Sequence, residues 1–195
     1  GTATTAVTPR YETRPATTPS ARPPTIRRAS AADVPAIAAL YGHHVRHGTA
    51  SFELEAPSEQ RVGERLEAAA ARGLPYLVAE LDGTVAGYAI ANPYRPRPAY
   101  AWCLEDSVYV AAERHGRGIG STLLASLLER SADAGFRQMV AVIGDSANTA
   151  SVRLHEKLAF RHVGVLENVG YKHGRWLDTV LMQRPIGAGA DTPPR

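Results

Sequence analysis

Val108-Tyr-Val-Ala-Ala-Glu-Arg-His-Gly-Arg-Gly-Ile-Gly-Ser-Thr-Leu-Leu124 is the stretch whose residue types and spacing point most directly to chemistry. An apolar strand pattern ends, a basic glycine-rich turn follows, and a leucine-rich helical pattern begins. Gly116, Gly118 and Gly120 let a backbone approach a ligand closely, and the first amides of the helix converge on one spot. Such a helix start attracts an anion, and Arg114 and Arg117 add positive charge. The stretch therefore reads as a phosphate or pyrophosphate cradle. The plain alternative is a tight strand–helix turn that needs glycine for steric reasons. A dinucleotide fingerprint fits less well, because the loop is basic, comes late, and no acidic residue ends a strand about 20 residues later. A P-loop is excluded because no Gly-Lys-Ser/Thr is present.

The elements that must position this loop follow from patterning. Thr25–Arg28 reads as a short strand. Ser30-Ala-Ala-Asp33 opens a helix through Val34, Ile37, Leu40, Tyr41 and Val45, with Pro35 tolerated only in the first turn. A second helix runs from about Ser58 to Arg72. Tyr76–Leu81 and Val85–Asn92 flank Asp82-Gly83, a hairpin turn. Asp106–Val110 is a strand, and Gly118–Ala134 a helix with Leu123, Leu124, Leu127 and Leu128 at helical spacing. Gln138–Ile143 is a strand, Asn148–Leu158 a helix, and two more strands cover about Arg161–Val169 and Arg175–Gln183. The alternation predicts an α/β domain with a mixed sheet. Residues 1–24, rich in Pro, Thr, Ala and Arg, predict a disordered or loosely docked arm, residues 25–185 the domain, and residues 186–195 a flexible tail.

Charge narrows the partners. The formal net charge is +3, of which +2 lies in residues 1–24 and none after Pro185, leaving +1 for residues 25–185. A core so nearly neutral argues against a nucleic-acid groove. One cysteine, Cys103, excludes an intramolecular disulfide, a cysteine zinc ribbon and an iron–sulfur cluster. His43 and His47 share a helical face, but no third ligand is spaced to join them, so that face is expected to be solvated and no metal is expected. No apolar run approaches the ~20 residues of a membrane span. No signal peptide is visible, and the expectation is a cytoplasmic protein without a membrane partner.

Arg114-His-Gly-Arg-Gly-Ile-Gly120 resembles the acetyl-CoA loop of the GNAT N-acetyltransferase superfamily, with His115 where glutamine or arginine is usual. Asn148-Thr-Ala-Ser-Val-Arg-Leu-His-Glu-Lys-Leu-Ala-Phe160 resembles the superfamily's second block, with His155 in place of its tyrosine and Ala159 in place of its glycine. Four segments resemble the phosphinothricin N-acetyltransferase family more narrowly. They are Thr49-Ala-Ser-Phe-Glu53, Pro93-Tyr-Arg-Pro-Arg-Pro-Ala-Tyr-Ala-Trp102, Glu105-Asp-Ser-Val-Tyr-Val110 and Gly170-Tyr-Lys-His-Gly-Arg-Trp-Leu-Asp178. The resemblance spans about Ile26 to Gln183. It implies a GNAT fold: a central, mostly antiparallel mixed sheet flanked by helices, with strands splayed at the acetyl-CoA site.

The resemblance also implies roles. Glu105 is expected as the base that takes the proton of the attacking amine, because a carboxylate beside Trp102 and Leu104 can have a raised pKa. Its alternative is a strand-end glutamate in a salt bridge. Asp106, on the opposite face of a regular strand, is a weaker candidate. His155 is expected either to assist proton transfer or to sit bonded to a backbone carbonyl. Val108, Tyr109 and Val110 are expected to pair with pantetheine, with Val108 N–H at the oxyanion. His115, Gly116, Arg117, Gly118, Ile119, Gly120 and Ser121 are expected at the pyrophosphate, and Asn148 and Ser151 on the pantetheine arm. Phe52, Arg95, Arg97, Tyr100 and Ser107 are expected around the amine substrate. Tyr94, Trp102 and Tyr109 complete its aromatic wall. Prolines around Arg97 hold a guanidinium that can grip a carboxylate or phosphinate through two bonds.

The expected activity is direct transfer of acetyl from acetyl-CoA to the α-amine of a small amino acid or analogue, of the phosphinothricin and methionine sulfoximine class. The alternatives are another amine, such as a peptide N-terminus or polyamine, and a non-catalytic acetyl-CoA-binding module. An anionic grip at Arg97 opposes a polyamine, and the presence of both Glu105 and His155 opposes the module. A homodimer is expected by resemblance alone.

Overall fold

A computed structural model describes residues 22–194. The predicted arm therefore falls almost wholly outside the described residues. The elements are β1 (Thr25–Arg28), α1 (Val34–His47), α2 (Glu59–Ala71), β2 (Tyr76–Leu81), β3 (Thr84–Pro93), β4 (Cys103–Val110), α3 (Ile119–Asp133), β5 (Gln138–Gly144), α4 (Thr149–Lys157), β6 (Arg161–Lys172) and β7 (Arg175–Pro185).

Local chemistry explains the element boundaries. Asp33 accepts the Ser30 N–H at 2.8 Å and two Arg27 N–H groups at 2.8 and 2.9 Å, closing the start of α1. Ser58 Oγ accepts from Arg61 N at the start of α2. Asp82 and Gly83 both have positive φ, 52° and 76°, as a two-residue hairpin of this hand requires.

Seven strands form one sheet in the order β1-β2-β3-β4-β5-β7-β6. Every adjacent pair is antiparallel except β4–β5. The mixed α/β sheet and the antiparallel majority match the expectation. The core lies between sheet and helices, with Ile37 and Val45 from α1, Leu77 from β2, Leu104 from β4, Leu123, Leu124 and Leu127 from α3, and Met139 from β5 all fully buried.

Two differences bear on the site. β4 begins at Cys103, earlier than the expected Asp106, so Glu105 lies inside the strand, opposite Asn92 on β3 and Val140 on β5. The Pro-rich segment before it masks this start in the sequence. Second, residues 186–193, expected as a flexible tail, make contacts with the domain. Ile186 is buried in the core, and the Arg137 guanidinium donates to the carbonyls of Gly189, Thr192 and Pro193. Composition misses such docking because one arginine holds three tail residues, mostly through their carbonyls.

Candidate active site

β4 and β5 pair in parallel only from Cys103↔Gln138 to Asp106↔Ala141. Both strands continue, to Val110 and Gly144, without pairing to each other. The two central strands thus part, and the β4 edge from Ser107 to Val110 has no strand beside it there. A cavity of about 670 Å³ opens at this fork. It is lined by Ser107 through Val110, the loop and first turn of α3, the end of β5, and α4.

The loop between β4 and α3 is shaped for an anion. Gly116 and Gly118 have φ near +76° and +75°, a conformation that favours glycine. No protein atom lies within 4 Å of where a Cβ would stand on either. Gly118 precedes Ile119, so the amides of the first turn of a 15-residue helix face outward without intrahelical partners. Every loop residue named from sequence lines the cavity except Arg117, which is exposed. Arg114 also lines it, although its guanidinium lies 3.6 Å from Asp82.

Sequence reasoning missed three basic groups here. Arg153 and Lys157, four apart on α4, both line the cavity. Their i, i+4 spacing was the available signal. The third is His44. His43 and His47 do share an exposed face, with rings 4.8 Å apart. His44 instead turns inward, and its Nε2 lies 2.8 Å from the Val110 carbonyl oxygen. The His115 ring reaches the same oxygen at 3.0 Å. Burial lowers the His44 pKa, the Val110 bond opposes this, and His115 and His43 lower it further.

Asn148 and Ser151 meet at the start of α4. Asn148 Oδ1 accepts the Ser151 N–H, capping α4, and both residues line the cavity. His155, on the same helix, is 3% exposed. Its Nδ1 lies 2.7 Å from the Ser151 carbonyl oxygen, and its Nε2 lies 3.0 Å from Asp106 Oδ1. The carbonyl-bonded alternative is thus realised, and Asp106 is a partner that the sequence did not announce. Bonds on both nitrogens require an N–H on each, or a proton on Asp106. Burial disfavours the imidazolium, but the bond and charge of Asp106, with the Ser151 carbonyl, outweigh it and leave the His155 pKa raised. Asp106 Oδ2 is buried with no hydrogen-bond partner among the described residues.

Glu105 and His155 are not brought together. Successive β4 side chains alternate, so Glu105 faces away from Asp106 and its α4 partner. Glu105 is half-buried. Burial raises its pKa, the Asp106 charge adds to this, and Arg95 opposes it. Among the described residues it forms no ion pair, whereas its alternative was a strand-end glutamate in a salt bridge. Tyr109, on the Glu105 side, packs its ring 5.0 Å from Tyr41 and 5.5 Å from Tyr88. Only its backbone remains available at the fork.

Of the remaining expected substrate residues, Arg95 is near enough to Glu105 to act on its charge. Arg95 and Arg97 are exposed, and neither forms an ion pair among the described residues. Arg95 lies over the Tyr94 ring at 5.2 Å, and Tyr94 meets Tyr100 edge to face at 5.6 Å. Phe52, Tyr100 and Trp102 are each more than one-third exposed. Of the substrate residues expected from sequence, only Ser107 lines the main cavity. No group of three or more His, Cys, Asp or Glu among the described residues is placed to hold a metal.

A forked pair of central strands above a glycine-lined helix start matches the acetyltransferase (GNAT) family, whose model covers residues 40–160. The chain belongs to that family and is an acetyl-CoA-dependent N-acetyltransferase. Among its relatives, a phosphinothricin N-acetyltransferase of Alcaligenes faecalis is 52% identical over 170 residues, covering 87% of this chain and 86% of the relative. An L-methionine sulfoximine/L-methionine sulfone acetyltransferase of Pseudomonas aeruginosa is 40% identical, covering 81% and 92%. A solved phosphinothricin acetyltransferase from Sinorhizobium meliloti, in complex with acetyl-CoA, superposes with a TM-score of 0.86. It is 43% identical, and the match covers 89% of this chain and 94% of that one.

Proposed function

We propose that the protein acetylates the α-amine of small amino acids and tetrahedral glutamate analogues, phosphinothricin and methionine sulfoximine among them. The observation that carries this reading is the Glu105 face of β4. A carboxylate with a raised pKa lies there within reach of the Arg95 charge, and neither Arg95 nor Arg97 forms an ion pair among the described residues. A guanidinium without a protein carboxylate is free to take the substrate's own anion, and the names of the relatives above supply the substrate class.

The two faces of β4 then divide the work. On the cofactor face the loop amides, with Arg114, Arg153 and Lys157, hold the pyrophosphate, and the unpaired edge of β4 takes the pantetheine amides. The Val108 N–H is the first candidate for the oxyanion. On the other face Glu105 accepts the ammonium proton, directly or through a water, and leaves a neutral amine to attack. Bound acetyl-CoA supplies the thioester. His155, with both nitrogens engaged, serves as a positioning residue that ties α4 to β4 and places positive charge near the departing thiolate.

The long β6–β7 pair supports a homodimer. Val163, Val165, Leu166, Val169, Tyr171 and Trp176 are 48–62% exposed on it. Apolar surface of this extent marks an association site. Dependence on acetyl-CoA supports a cytoplasmic setting.

A thiol-release screen of amino acids, their analogues and polyamines with acetyl-CoA tests the function. Turnover is expected with phosphinothricin or methionine sulfoximine and to be far lower with polyamines. A preference for polyamines overturns the substrate class.

A further inference from the structure

Residues 48–56, most of the connection from α1 to α2, pass the open end of the fork, where Gly48, Thr49 and Ala50 line the cavity. This segment has no secondary structure of its own beyond bends, yet it is fastened at several points. Thr49 Oγ1 donates to Asp145 Oδ2 at 2.7 Å, and Arg175 donates to the same oxygen at 2.7 Å. The His173 ring lies 3.3 Å from the Gly48 carbonyl oxygen. Tyr41 Oη lies 2.7 Å from Ser51 Oγ. Lys172 Nζ donates to the Ser51 carbonyl at 2.7 Å. Three of these residues, Lys172, His173 and Arg175, surround the turn of the β6–β7 hairpin.

Phe52 follows the pinned residue. Its ring fills a slot between two glycines. A Cβ built on Gly144 would stand 2.8 Å from the ring, and one on Gly170 would overlap it. Neither glycine has a positive φ, so the absence of a side chain serves space and not backbone conformation. The residue as a whole is still 37% exposed.

Lys172 itself is unusual. It is 4% exposed and forms no ion pair among the described residues. Burial lowers its pKa, and the charge of Glu53 partly opposes this. A buried ammonium on a single carbonyl costs free energy unless the geometry it enforces compensates. The hairpin pairing of Lys172 with Arg175 fixes its backbone, so the side chain works from a rigid base.

We propose that Lys172 is a positioning residue for the amine side of the site, pinning the Ser51 carbonyl so that Phe52 stays in the Gly144–Gly170 slot and sets the width of the substrate pocket. This rests on the reading that amino acids bind on the Glu105 face. The hairpin turn thereby becomes a determinant of substrate size, although it lies about 120 residues along the chain from the wall it holds.

The test uses the full chain with Lys172→Met and, separately, Gly170→Ala. Methionine keeps the length and apolar stem but removes the donor. Alanine leaves Lys172 in place and displaces the ring. With whichever amino acid or analogue the wild type acetylates, each variant is expected to raise the amine KM at least ~10-fold, equivalent to about 1.4 kcal/mol. Acetyl-CoA affinity by calorimetry is expected to stay within about twofold, and kcat to change less than KM. Hydrogen exchange of amides 48–54 is expected to speed up in Lys172→Met, with α3 unchanged. Unchanged amine KM and unchanged exchange in a folded Lys172→Met overturn the proposal. If that variant does not fold, Gly170→Ala decides, and an unchanged amine KM overturns it. A wild type that acetylates no amino acid overturns the substrate reading instead, while the exchange rates still judge the Lys172 contact.

Discussion

The two sides of the fork are built by different means. The cavity proposed for the cofactor is lined mainly by two stretches of chain, the end of β4 through the first turn of α3 and the end of β5 through α4, with His44 and residues 48–50 beside them. The proposed amine side draws on segments distant in sequence: the Phe52 loop, the Arg95–Trp102 segment, Glu105 on β4, and the β6–β7 turn. Side chains dominate it. A backbone cradle depends on a few glycines at fixed spacing, whereas a side-chain pocket depends on tertiary contacts that each need another element in place. The first kind of site tolerates change everywhere except at the turn geometry, and the second can be retuned at many points.

The comparison breaks most visibly at Glu105. Glu105→Gln keeps the shape of the amine face and removes its proton acceptor. Turnover is expected to fall at least ~10²-fold, the low end for a positioned base, with acetyl-CoA affinity unchanged. Steady-state kinetics at saturating substrates near neutral pH, beside calorimetry, measure both. Near-wild-type turnover would move the base elsewhere and remove the division of labour across β4. The raised Glu105 pKa adds a sign: activity should fall as the pH drops through that raised value, because a protonated carboxyl accepts nothing.

Gly118→Val attacks the other side by the other mechanism. The open space around Gly118 means that valine strains the backbone without striking the protein. A left-handed conformation costs a residue with a Cβ roughly 1–2 kcal/mol, and more when it is branched. Acetyl-CoA affinity is expected to weaken about tenfold or more, since 1.4 kcal/mol is a factor of ten. Calorimetry gives the affinity, and a retained cooperative thermal transition shows that the fold persists. Unchanged affinity would take the anion away from this loop.

How much of the molecule is legible in the sequence follows the same division. The glycine loop, the leucine face of α3 and the Asp82-Gly83 turn are local, and each lies where its pattern puts it. β4 starts early because strand pairing with β3 and β5 extends it past residues whose own pattern is broken by Trp102 and Cys103. The Asp106–His155 pair joins residues 49 apart and carries no spacing signal. His44 is hidden by its neighbours. Three histidines in five residues read as one solvated face, but at 100° per residue the middle one points elsewhere, into the site. The fastening of the 48–56 segment by Lys172 needs the full sheet before it exists.

Arg97→Ala sharpens the amine side at intermediate size. Each charge-assisted bond from the guanidinium to a substrate carboxylate or phosphinate stabilises the complex by roughly 1.5–3 kcal/mol. The amino-acid KM is therefore expected to rise at least ~10-fold, while the acetyl-CoA KM hardly moves. Arg97→Lys is expected to recover only part, because an ammonium lacks the planar fork. Steady-state kinetics with both substrates varied distinguish these outcomes. An unchanged amino-acid KM would leave Arg95 as the anion-binding residue, or remove the anion from the substrate's recognition.

The smallest effect concerns the seam between the two sides. The His155 pKa is raised in the folded protein above its ordinary value of 6.5. Folding therefore favours the protonated ring. The stabilisation is complete below the unfolded value and is lost as the pH rises through the raised folded value. Within that window the slope cannot exceed about 1.4 kcal/mol per pH unit for one group. His155→Gln keeps a polar side chain of similar reach but does not titrate. Urea unfolding of both proteins from slightly acid to alkaline pH should show the wild type losing its advantage as the pH rises and the difference flattening above the window. A difference that grows with pH would mean that the ring is buried neutral. Asp106→Asn settles that outcome, since an amide cannot stabilise an imidazolium as a carboxylate does and should abolish the wild-type slope only if the charge pair is real.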